Sequence, residues 1–297
     1  MGIILNLFLS VWQIVAPVFI LSGIGFVWVK AGFEYRIEFV TRLAMTLSVP
    51  CLIFTALMKT DINPIDLQNV VFASLVSYLF VTVATFVLVK VLKKNVRTYL
   101  SPMLFGNTGN IGLPVCLFAF GTVGFDFAVV VFAVMAIYNF TFGIWIVSGG
   151  GSPIKALKEP LIPAVLLGTL FLMNGWQTPE FLTNTLELIG QMAIPLMLLT
   201  VGVAIARMNG SELMHMLLPA FGKFIVCLGC ALLAVWLFEL PKVAGAVLIL
   251  QVTTPVAVTS YLLAEKYGTG AAEVASLVIV STLMSVIYIP LSLAFLI

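Results

Sequence analysis

The chain has 297 residues, of which 62% are hydrophobic and 9% charged. Soluble domains carry about a quarter of their residues as charge, so this balance excludes a soluble globular protein and leaves no stretch for a soluble domain. The net charge of +2 says little by itself, because in a membrane protein the placement of the charges carries the information.

A spanning helix needs roughly 20 predominantly apolar residues. Charged and Gly/Pro-rich clusters cut the chain into ten such pieces: 5–29, 37–58, 66–89, 99–120, 124–148, 160–174, 181–206, 213–238, 241–264 and 272–296. The first piece lacks the basic flank of a signal peptide and is too long for its core, so it reads as a retained helix. A Gly-rich basic linker, 149–159, separates the fifth piece from the sixth. Cys51, Cys116, Cys227 and Cys230 all lie within apolar pieces and read as small packing residues, despite the redox-like spacing of the last two.

Orientation follows from Lys and Arg in the short connections. The odd-numbered connections hold eleven of them, from Lys30 through Lys266, whereas the even ones hold only Lys59 and Lys242. That places both termini outside and the 149–159 linker in the cytoplasm. Five helices per half make the second half enter the bilayer inverted. The prolines recur at a nearly constant offset in matching helices: Pro17 with Pro163, Pro50 with Pro195, Pro102 with Pro241, and Pro114 with Pro255. The expected fold is all-α, ten transmembrane helices as two inverted five-helix repeats (1–148 and 160–297), with helices 4 and 9 broken and crossing. Such repeats with Gly/Pro-interrupted helices are the signature of secondary transporters whose site lies near the midplane.

Helix 4 carries the sharpest signal, Gly106-Asn107-Thr108-Gly109-Asn110-Ile111-Gly112-Leu113-Pro114. Its three glycines, two asparagines and proline act against a continuous helix, and freed backbone groups survive in hydrocarbon only where protein or water surrounds them. The counterpart in helix 9 runs from Gln251 to Ser260 through Thr253, Thr254 and Pro255. Half-helix N-termini carry unsatisfied N–H groups and partial positive charge, so the crossing suits a carboxylate or another anion. Candidate substrate-binding residues are Asn107, Gly109, Asn110, Pro114, Asn139, Lys223, Thr253, Thr254 and Pro255. Lys223 stands near the midplane if helix 8 starts at Leu213, and near the cytoplasmic interface if Pro219 begins the membrane part. Asp126, Glu187, Glu239 and His215 read as interface residues. No Walker, Rossmann, GxSxG or HExxH motif and no acidic cluster for a catalytic metal occurs, so an enzyme is not expected.

Asn107-Thr-Gly-Asn110-Ile-Gly-Leu-Pro114 resembles the helix 4 signature of the auxin efflux carrier family, whose bacterial members move small carboxylates such as malonate, malate or lactate. Ala193-Ile-Pro195-Leu-Met-Leu-Leu-Thr-Val-Gly202 is similar to that family's helix 7 segment, and Thr254-Pro255-Val-Ala257 with Tyr261 and Ala264 to its helix 9 pattern. The stretch around Lys223 resembles a helix 8 segment that often carries a lysine, except that Pro219 precedes the lysine here. The resemblance implies a scaffold of helices 1, 2, 6 and 7, a homodimer through helices 2 and 7, and a transport unit of helices 3–5 and 8–10 with elevator-like alternating access. It implies a small carboxylate and the lipid bilayer as partners, no nucleic acid, and no cofactor, with coupling to protons or sodium left open. The expected location is the inner membrane. Two rivals remain: a sodium-coupled symporter of the bile-acid-transporter type, and a membrane receptor or sensor that keeps the carrier fold.

Overall fold

The computed structural model describes residues 16–17, 19–59, 62–150, 160–207 and 213–297. The start of expected helix 1, residues 5–15, and linker residues 151–159 lie outside the described residues. Among the described residues every regular element is helical and no strand occurs. Among the described residues six helical stretches, counted across the π turns, are long and apolar enough to cross a membrane.

In chain order the elements are α1 (Phe19–Lys30), α2 (Ile37–Leu43), a π turn (Ala44–Ser48) and α3 (Val49–Lys59). Next come α4 (Pro64–Val91), α5 (Val96–Leu104), a second π turn (Thr108–Gly112), α6 (Leu113–Tyr138), a third π turn (Asn139–Gly143) and α7 (Ile144–Ser148). The second half holds α8 (Leu161–Asn174), α9 (Glu180–Gln191), α10 (Ala193–Ala206), α11 (Leu213–Leu237), α12 (Lys242–Thr253), α13 (Val258–Tyr267) and α14 (Ala271–Leu296). Local chemistry explains several starts. The Asn63 side chain accepts from Ile65 N at 2.9 Å ahead of α4, and the Asn95 side chain accepts from Arg97 N at 2.9 Å ahead of α5, the standard way to satisfy donors that a helix start leaves free. α6 is two helices, 113–120 and 122–138, because Gly121 has φ +64° and ψ −154°, a conformation glycine tolerates and other residues do not.

The outward faces are as apolar as the interior. On α4, Leu75, Leu79, Val83 and Phe86 are exposed at four- and three-residue spacing, while Ser74, Ser77 and Thr85 are buried. A helix in water presents the reverse arrangement. The exposed stripe therefore faces hydrocarbon, and the chain is a multi-pass membrane protein.

The helices form two packing groups. In one, α3 packs against α8 and α9, and α2 against α10. There α1 crosses α10 closely: Ser22 Oγ donates to Leu198 O at 3.2 Å, and a Cβ at Gly202 would overlap the Ser22 carbonyl. In the other, α11 packs against α4, α12 and α14, α12 against α6, and α4 against α5 and α6. The groups meet where α3 touches α6 and α10 touches the Thr108–Gly112 turn.

The connections sort by end. Arg97 donates to Val147 O at 2.8 Å and to Tyr267 O at 3.4 Å, tying together the third, fifth and ninth connections, and Arg207 donates to Tyr35 O, joining the seventh to the first. Lys242, in the eighth connection, donates to Ile297 O at 2.9 Å. Lys59 pairs with Glu187. Each such pairing joins segments that the charge count assigns to the same side.

Candidate functional site: two broken helices crossing

α5 stops at Leu104 and α12 at Thr253, and the backbone beyond each is extended: Phe105 has φ −99° and ψ 123°, and Thr254 φ −52° and ψ 149°. Pro255 explains the second stop, since the residue before a proline is pushed out of the helical region. The two extended pieces pair. Gly106 and Val256 form an antiparallel bridge, and Asn107 N donates to Pro255 O at 2.6 Å. Backbone groups freed by each break are thus partly satisfied by the other, which a low-dielectric interior demands.

Close approach dictates the glycines. A Cβ at Gly106 would overlap the Thr254 hydroxyl, and one at Gly112 would overlap the Gln251 side-chain amide. Glycine permits this contact between the two stretches, and a larger residue would force the Thr254 hydroxyl or the Gln251 side chain to shift.

Beyond the bridge each chain turns back into helix. The first intrahelical bonds of the new segment run from Ile111 N and Gly112 N to Asn107 O, at 3.0 and 3.1 Å, so the N–H groups of Thr108, Gly109 and Asn110 precede them. In the other chain Ser260 N donates to Ala257 O at 3.0 Å as α13 begins. Both restarts border one cleft. It opens at its mouth, and Asn107, Thr108, Gly109, Asn110, Asn139, Ala257 and Thr259 line it with Met45, Phe132, Met135 and Phe140. Beside it, Asn107 Nδ2 and Thr108 Oγ1 are buried and have no hydrogen-bond partner among the described residues. Two positive helix ends, amide side chains and a hydroxyl on one side, with thioether and aromatic surface on the other, suit a small anion with an organic body.

Asn107, Gly109, Asn110 and Asn139 therefore come together, Asn139 arriving from the third π turn. The remaining candidates lie elsewhere. Pro114 is buried in the first turn of α6, one turn past the restart, and is not among the cleft residues. Thr253 Oγ1 donates to Ile249 O at 2.7 Å and Thr254 Oγ1 to Gln251 O at 2.7 Å, so both hydroxyls bond their own helix. Pro255 contributes its carbonyl to the bridge. Lys223 lies well inside α11, which starts at Leu213 as the deeper of its two placements requires; it is 2% exposed, and Nζ donates to Thr254 O at 2.8 Å behind the crossing.

Thr259 and Thr108 stood within the two singled-out stretches without being named as candidates. Met45, Phe132, Met135 and Phe140 had no signal, because an apolar cleft wall and a packing core use the same residue types.

Comparison with known proteins adds one finding. Residues 148–293 match the profile of a family described as membrane transport protein. The match covers just under half of the chain and is a likeness to membrane transport proteins. The matched stretch contains the second break and Lys223, while Gly106–Pro114 lies ahead of it. No curated protein matches the chain.

Proposed function

We propose that this protein is a secondary transporter of the auxin efflux carrier kind, of the bacterial branch that handles malonate- or malate-like acids. It moves a small carboxylate across the inner membrane by elevator-like alternating access. The observation that carries the reading is the convergence of two half-helix N-termini on one cleft whose buried Asn107 amide donor is unpaired. Carriers with broken, crossing helices use such ends to hold anionic groups. The substrate carboxylate would accept from the Thr108–Asn110 backbone and from the Asn107 and Asn110 amides. Asn139 and Thr259 would contact the rest of the molecule, and the Phe132, Met135 and Phe140 side chains its carbon skeleton.

The remaining architecture is read in the same way. Ten helices in two inverted repeats, 1–148 and 160–297, are supported by irregular backbone at matching places: a π turn just before Pro50 and a turn at Met192 just before Pro195, and the two breaks near Pro114 and Pro255. The packing of α1–α3 with α8–α10, apart from α4–α7 with α11–α14, supports a scaffold and a moving transport unit that meet beside the cleft. Both termini are assigned to the periplasm on the charge count, and the scaffold is assigned a homodimer contact through helices 2 and 7.

Uptake of radiolabelled malonate, malate and lactate into proteoliposomes tests the reading. Flux of at least one acid is expected, with Asn110→Ala abolishing most of it at unchanged protein incorporation. Saturable binding without flux would instead favour a receptor.

A further inference from the structure

The α12 break ends in oxygen atoms. Thr254 O lies beyond the last turn of the helix, where carbonyls have no intrahelical partner and the helix dipole is negative. Gln251 Oε1, one turn earlier, is fully buried without a partner, and so is the Tyr78 hydroxyl of α4. In carriers with broken helices, unwound carbonyls and half-helix C-termini of this kind coordinate the coupling cation. Here a cation is already present: among the described residues Lys223 is the one charged side chain that is fully buried, and its Nζ donates to Thr254 O at 2.8 Å and approaches Cys227 Sγ at 3.8 Å. No carboxylate pairs with it in the ion pairs among the described residues. Its compensation comes from the backbone of the break itself.

We propose that the Lys223 ammonium is a built-in cation for the second break, occupying the seat that a coupling sodium ion would fill, so that the carrier folds and cycles without sodium. The proposal rests on the carrier reading for its meaning, but its chemistry is local to α11 and α12. It gives the lysine a positioning role: it holds the α12 end in the extended path that lets Pro255 O meet Asn107 N.

The test reads thermal stability of the purified full chain and uses no carboxylate, so its outcome is independent of whether the cleft binds one. The wild-type protein is expected to melt at the same temperature in sodium, lithium and choline chloride. Lys223→Ala removes both the charge and the stem and is expected to melt lower. Propylammonium or butylammonium is expected to restore it saturably, on the order of 5 °C at a hundredfold excess over Kd, with no effect on the wild type. Lys223→Met, which keeps the stem's volume, is expected to stay destabilised and unresponsive. A saturable stabilisation of wild-type protein by sodium over choline overturns the proposal, and this holds even if the alanine variant does not fold. So does a Lys223→Met variant as stable as wild type alongside a Lys223→Ala variant that alkylammonium ions do not restore.

Discussion

The two breaks meet in one crossing yet differ in what they leave free. At the first, Asn107 Nδ2 and Thr108 Oγ1 are unpaired, and Asn110 faces the cleft. At the second, Thr253 and Thr254 turn their hydroxyls onto their own helix, and Lys223 holds the Thr254 carbonyl. Unpaired buried donors cost free energy in an empty site and return it when a ligand accepts from them. On the proposed carrier reading the first break serves recognition and the second support, although the sequence presents both as polar interruptions around a proline.

Breaking the first half of this comparison should have the largest effect. Asn110→Ala and Asn107→Ala each remove an amide donor, and a hydrogen bond to a charged group contributes about 1.5–3 kcal/mol. Carboxylate affinity measured by calorimetry should fall roughly 10- to 100-fold, with little change in melting temperature for Asn110→Ala. Gly106→Ala strikes the contact between the halves. Its Cβ would overlap the Thr254 hydroxyl, so a loss of about 1–3 kcal/mol of stability is expected from overpacking, visible as a lower melting temperature; pairing it with Thr254→Ala should recover part of that loss, because the overlapping atom is removed. The smallest effect belongs to Thr253→Val. The Thr253 hydroxyl bonds Ile249 O and Leu250 O, both within α12, so affinity should stay within about threefold and stability within about 1 kcal/mol. A large loss of affinity there would erase the distinction between the two breaks.

Much of this plan is legible in the residues. The Gly106–Pro114 stretch stands out because glycine, asparagine and proline together act against a continuous helix of hydrocarbon length, and the proline spacing finds its partner at Gln251–Ser260. The position of each break is less legible. The first chain leaves helical geometry at Phe105 and has restarted by Thr108, so the new N-terminus lies ahead of Pro114, which falls past the first turn of the restarted helix. In the second chain the stop falls on Thr254, as the proline at 255 requires.

The depth of Lys223 could not be read from spacing alone. α11 begins at Leu213 and carries Pro219 inside it, so the proline neither starts nor ends the helix, and the lysine falls well into it. Its partner, the Thr254 carbonyl, is a backbone atom 31 residues away, and no side-chain pattern announces such a partner. The π turns at Ala44–Ser48 and Asn139–Gly143 were equally hidden, although the second is what carries Asn139 to the cleft. Local sequence sets where a helix can fail; the neighbouring helix decides how the failure is shaped.

The most direct test of the central claim is calorimetric titration of a transported acid into Asn110→Ala and Thr254→Ala side by side with wild type. The account predicts that Asn110→Ala loses most of its affinity while Thr254→Ala, whose hydroxyl bonds only Gln251 O, binds within about threefold of wild type. Equal losses in both variants, or wild-type affinity in Asn110→Ala, would contradict it.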